Sequence, residues 1–70
     1  MTDIKIKTEK IKLDSFLKLS GEAESGGQAK VMINSGEIFV NDEICSLRGK
    51  KLNPGDIVSI GTNEYRVVNQ

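Results

Sequence analysis

The sequence predicts an α+β domain in which two short helices pack on a small, mostly antiparallel sheet. Three observations carry this prediction. Apolar residues alternate with polar ones near both ends of the chain, which is the period of a half-buried strand. Two central segments place them at i, i+3 and i+4, the period of an amphipathic helix. Asn41-Asp42, Asn53-Pro54-Gly55-Asp56 and Gly61-Thr62-Asn63 supply turn signals between the later strands.

Ile4 and Ile6 alternate with Lys5 and Lys7, predicting a first strand whose lysines form a solvated face. From Leu13 the period changes: Leu13, Phe16 and Leu17 share one helical face, Leu19 lies near the end, and Ser20-Gly21 is the stop. A helix of about two turns is too short to persist alone in water, so that face has to be buried. Asp14 sits in the first turn, where a carboxylate opposes the positive helix end. Gly21 to Ser25 is expected to be a linker carrying Glu22 and Glu24.

Ser25 stands three residues before Gln28, the S-x-x-Q spacing of a capping box. The serine oxygen is expected to accept from the Gln28 N–H while the glutamine reaches back. In the second helix Ala29, Met32 and Ile33 form the core stripe, and Gly36 closes it in the left-handed conformation. Gly27, Lys30 and Asn34 fall on another face that is small, polar and basic.

Ile38 and Val40 then alternate with Glu37 and Phe39, and a two-residue Asn41-Asp42 loop turns the chain into a hairpin. That loop length sets Val40 opposite Glu43, Phe39 opposite Ile44 and Ile38 opposite Cys45. Cys45 is expected to be a buried small hydrophobe, since no histidine is present to activate it. Leu47 to Leu52, LRGKKL, has no strong periodicity and carries the densest basic cluster, Arg48, Lys50 and Lys51; it is either a solvated loop or a binding segment. Pro54 at i+1 and Gly55 at i+2 suit a type II turn. Ile57, Val58 and Ile60 make the next strand, and EYRVV, with Tyr65 and Val67 on one face, makes the last.

At 70 residues the chain has room for one domain, residues 1–70, and no second core. Hydrophobic content of 37% with 29% charged residues is a globular balance. Ten basic and ten acidic residues cancel, so attraction to nucleic acid has to come from local clustering. One cysteine and no histidine exclude a disulfide framework and a cysteine-based zinc site, and remove the commonest metal ligand and general base. No metal and no cofactor is expected, and an enzyme is the least favoured class. The lack of a signal-like or long apolar run points to a protein of the reducing cytoplasm.

Lys12-Leu13-Asp14 before Leu17, then Ser25, Ala29, Met32-Ile33, Gly36, Val40-Asn41 and Pro54-Gly55-Asp56 together resemble the ribosomal-protein S-four-type RNA-binding domain. The match spans residues 12–60. The short length and the forms ESGGQAK and RGKKLNPGD are most similar to its small stand-alone bacterial, YaaA-like members. The resemblance implies the α-L RNA-binding motif, with the two helices and the adjoining hairpin forming one RNA-facing surface. Carried onto this chain, that surface includes Lys12, Lys18, Ser25, Gly26, Gly27, Gln28, Lys30 and Asn34, extended by Arg48, Lys50 and Lys51. Asn41 is a turn former. A glycine-rich helix start offers free N–H groups to phosphate, and the lysines neutralise backbone charge.

Two departures weaken bidentate phosphate recognition. Many members carry arginines where this chain has Gly26 and Gly27, and arginine in place of Lys12. The expected partner is structured ribosomal RNA, or a ribosome and its assembly intermediates with their ribosomal proteins, bound by a non-catalytic monomer away from membranes. Two other classes compete. The VNDE hairpin and the PGDIVSI strand also occur in β-grasp-like carriers, but this chain ends Val68-Asn69-Gln70 rather than in a reactive Gly-Gly. A small protein-interaction domain is the third. Two helices ahead of the hairpin favour RNA binding; a hairpin ahead of the first helix favours the carrier.

Overall fold

The computed structural model describes residues 1–70. Strand β1 (Thr2–Ile6) leads through β2 (Ile11–Lys12) into helix α1 (Leu13–Leu19) and helix α2 (Gly26–Asn34). Strands β3 (Ile38–Val40), β4 (Glu43–Ile44), β5 (Lys51–Leu52), β6 (Ile57–Ile60) and β7 (Asn63–Asn69) follow. Both helices thus precede the β3–β4 hairpin, the order expected of the RNA-binding arrangement and the reverse of the carrier's. The main sheet runs β1-β7-β6-β3-β4, and every pairing in it is antiparallel except β1 with β7.

Period-two patterning decides the sheet's faces. Ile38 and Val40, paired with Ile60 and Val58, turn inward with Val67 and Ile6, whereas Phe39 and Ser59 turn outward. The helices cover the inner face. Leu13, Phe16 and Leu17 of α1 and Ala29 and Ile33 of α2 are fully buried, joining Ile38, Val58 and Val67 in one core. Phe16 meets Tyr65 edge-on, with ring centroids 6.5 Å apart at 79°. Met32 is only half-buried, packed against the core from outside it, and Leu19, the last residue of α1, is exposed.

The hairpin forms with the anticipated register: Val40 opposes Glu43, Phe39 opposes Ile44, and the Cys45 N–H donates to the Ile38 carbonyl at 2.9 Å. Asn41 and Asp42 take φ of 51° and 71°, the left-handed pair that a tight hairpin loop requires. Asn41 does more than turn the chain. Its side-chain oxygen accepts from the Ile57 N–H at 3.0 Å and its amide donates to Asp56 at 3.1 Å, while the other Asp56 oxygen accepts from the Asn53 N–H at 2.8 Å. The hairpin loop and the Pro54-Gly55 turn are therefore one hydrogen-bonded unit. Gly55 has φ +99°, as a type II turn demands, and the Asp56 N–H closes the turn on the Asn53 carbonyl at 3.0 Å.

Four expectations need correction. Lys51-Leu52 is not part of an irregular loop but a strand paired with Ile11-Lys12, too short for any periodicity to register; it carries Leu52 into the core. The Gly21–Ser25 linker is anchored, because Ala23 is buried and the Glu22 carboxylate accepts from Tyr65 Oη and from the Asn63 amide. That bond, with burial, raises the Tyr65 pKa above its usual value. Cys45 is partly rather than fully buried, since β4 ends one residue before it and lies at the sheet's edge. The Gln28 side chain reaches back to the N–H of Glu24 at 2.7 Å, one residue beyond the expected capping-box partner.

Candidate nucleic-acid interface

Helix α2 begins where Ser25, in extended conformation, accepts the Gln28 N–H on its Oγ at 3.1 Å. The Ser25 carbonyl takes the Ala29 N–H at 3.0 Å. Gly26 and Gly27 hold the first two helical positions, whose amides have no acceptor within the helix. Neither glycine is demanded by packing. A Cβ on Gly26 would meet nothing within 4 Å, and one on Gly27 only the Ser25 Oγ at 3.9 Å. Their effect is to leave the positive end of the helix uncovered.

Helix α1 starts differently. Lys12 is its N-cap residue and provides no side-chain acceptor. The helix is capped instead by the basic segment: the Leu13 N–H donates to the Lys50 carbonyl at 2.8 Å and the Asp14 N–H to the Arg48 carbonyl at 3.3 Å. The Ser15 N–H is taken by the Asp14 carboxylate at 2.7 Å. With the Arg48 and Lys50 carbonyls accepting from α1, the segment is tied to the start of that helix.

That anchoring brings the segment against α2. Lys30 and Asn34 of α2 line an open concavity of about 430 Å³ together with Ser46, Leu47, Arg48, Gly49 and Lys50. On the other side Lys12 and Lys51 face one another across the β2–β5 ribbon and line a separate concavity of about 310 Å³ with Glu9, Lys10 and Ile11. All eleven residues singled out in the sequence are exposed. Ten of them divide into three places. Lys30, Asn34, Arg48 and Lys50 meet at the first concavity. Lys12 and Lys51 meet at the second. Ser25, Gly26, Gly27 and Gln28 form the α2 start, with Gln28 engaged in capping. Lys18, in the last turn of α1, lies on neither concavity. Lys10, Ser46 and Gly49 were not anticipated; the i, i+2 spacing of Lys10 and Lys12 is the one signal that pointed to any of them.

The charge is unopposed. The single ion pair of the chain joins Arg66 to Asp3 at 3.0 Å on the far face of the sheet, raising the Arg66 pKa through its bond to that carboxylate. Every lysine, and Arg48, lacks a carboxylate within 4.0 Å. No three His, Cys, Asp or Glu side chains converge, and no helix is long and apolar enough to cross a membrane.

Fold and interface together define a class: the small α+β module with the α-L arrangement of two helices and a basic loop. The solution structure of YbcJ from Escherichia coli, described as revealing an α-L motif involved in RNA binding, matches with a TM-score of 0.73 and 32% identity, covering 97% of this chain and 87% of YbcJ. The S4 domain family model matches residues 4–68, and the chain belongs to that family. It is 48% identical over 67 residues to "Probable ribosome maturation protein RlbA" of Bacillus subtilis (strain 168), with 94% of each chain covered. The 30S ribosomal protein S4e of Thermoplasma acidophilum shares the fold, with a TM-score of 0.64 at 19% identity over 86% of this chain and 32% of that one.

Proposed function

We propose that this protein is a non-catalytic, monomeric RNA-binding module of the cytoplasm, built as one domain over residues 1–70. It acts on structured ribosomal RNA, or on a ribosome during its assembly, through phosphate and shape contacts. The observation that carries this reading is the position of the basic segment: Arg48 and Lys50 share a concavity with Lys30 and Asn34 of α2. The α2 start adds two free amides and a positive dipole end on the same helix as Lys30 and Asn34. The relation to RlbA and to YbcJ supports the same partner class.

The mode of recognition follows from what the surface offers. Phe16 is buried and Tyr65 belongs to the sheet, so the helix–loop face presents no aromatic pair for stacking unpaired bases. Lysines and backbone amides contact phosphate without reading sequence, which suits an A-form duplex or a folded junction. Crosslinking the protein to RNA in cells and sequencing what is bound tests the assignment. Enrichment of ribosomal RNA at discrete positions is the expected result. Pull-down of ribosomal proteins that survives nuclease treatment, without RNA crosslinks, refutes it in favour of a protein-docking domain.

A further inference from the structure

The β2–β5 ribbon has a charge arrangement that its own folding does not favour. Antiparallel partners project to the same side, so Lys12 and Lys51, in register, face one another directly, a like-charge placement that opposes pairing. Lys10, just before β2, lines the same concavity as Lys12 and Lys51. The opposite side holds Ile11 and the fully buried Leu52, which fixes the ribbon's orientation: apolar side to the core, three ammonium groups to solvent. These lysines line one open concavity of about 310 Å³, and Glu9, the one carboxylate there, forms an ion pair with none of them. Lys50, which precedes β5, lines the concavity against α2, while Lys51, the first residue of β5, lines this one.

We infer that the ribbon concavity is a second phosphate seat, with Lys10, Lys12 and Lys51 as its ligands, distinct from the concavity against α2. The inference rests on the RNA-binding reading and deepens it: the RNA backbone is held on both flanks of the basic segment, and Lys10 joins the binding residues. A phosphate between the three ammonium groups replaces their mutual repulsion with attraction. Lysine suits this role because it binds as a point charge and needs no bidentate geometry.

The test pairs stability with binding. Lys51→Glu puts opposite charges across the ribbon, so its melting temperature is expected to rise above that of the wild type while RNA affinity falls. A purely structural role for Lys51 predicts that both fall together, which would overturn the inference. Lys10→Gln is expected to reduce the slope of log affinity against log salt by about 0.7 to 0.9, and its effect to add to that of Lys30→Gln, as for separate seats. Titration of 15N-labelled wild type with inorganic tripolyphosphate gives a readout independent of RNA. Amide shifts at Lys10, Lys12 and Lys51, abolished in Lys51→Glu, are expected. Shifts confined to Lys30 and Arg48 would overturn the ribbon seat and leave the RNA reading intact. Ribbon shifts in a protein that binds no RNA would support the anion seat and refute the RNA reading beneath it. An equal ribbon response to a glutamate-rich peptide would overturn the assignment to phosphate.

Discussion

Replacing Lys30 by Gln isolates the concavity against α2. Lys30, Arg48 and Lys50 are the three cations lining it, all exposed and free of carboxylate partners. If each neutralises one phosphate, this concavity contributes a log–log salt slope of roughly −2.1 for unpaired RNA and −2.7 for duplex. Between 50 mM and 200 mM salt that is a loss of affinity of about 20- to 40-fold from this surface, and with Lys30 gone about 7- to 12-fold. The diagnostic quantity is the difference in slope, about 0.7 to 0.9, because further phosphate contacts elsewhere cancel from it. An exposed, unpaired lysine contributes within about 0.5 kcal/mol to folding, so a melt of the variant should overlay the wild type. Fluorescence anisotropy with a labelled ribosomal RNA fragment at four or five salt concentrations measures the slope. A folded Lys30→Gln with an unchanged slope would refute the placement of phosphate here.

Three further outcomes follow from the fold. Ser25→Ala removes the oxygen that accepts the Gln28 N–H and should cost about 1 kcal/mol, read by urea unfolding. Leu52→Ala empties a fully buried position beneath the ribbon and should cost about 2–5 kcal/mol; against the roughly 3.5–10 kcal/mol expected of a chain this size, that takes much of its stability. Tyr65 donates to the Glu22 carboxylate, and its pKa is raised above 10.0 in the folded state. A raised folded value means that the stabilisation is complete below the unfolded pKa and is lost as pH climbs through the folded one. Absorbance titration near 295 nm should therefore give a midpoint above that of free tyrosine, and Glu22→Gln should bring it down.

Long elements with a clear period were legible from the residues. Leu13, Phe16 and Leu17 announced α1, Ala29 and Ile33 announced α2, and Asn41-Asp42 fixed a hairpin register that the structure repeats. What could not be read was set by contacts distant in sequence. The pairing of Ile11-Lys12 with Lys51-Leu52 joins segments some forty residues apart through strands of two residues each, below the length at which alternation means anything. The anchoring of Glu22 by Tyr65 is of the same kind, with the partners 43 positions apart. The interface was legible in composition but not in arrangement. RGKKL could be seen to be basic; that its carbonyls cap α1, and that Lys50 and Lys51 part to different flanks, depends on that same pairing. Asn41 and Pro54-Gly55-Asp56 stood out as separate turn signals, and only the structure shows them bonded to each other.

The central claim is that one face of this molecule, made by the start of α2 and the segment anchored to α1, binds RNA while the outer face of the sheet does not. Amide shift mapping of the 15N-labelled protein against a structured ribosomal RNA fragment tests it most directly. Shifts concentrated at Gly26, Gly27, Lys30, Asn34 and residues 48–51 are the predicted result. Shifts concentrated instead at Asp3, Phe39, Ser59, Glu64 and Arg66, with the helix–loop face unmoved, would contradict it.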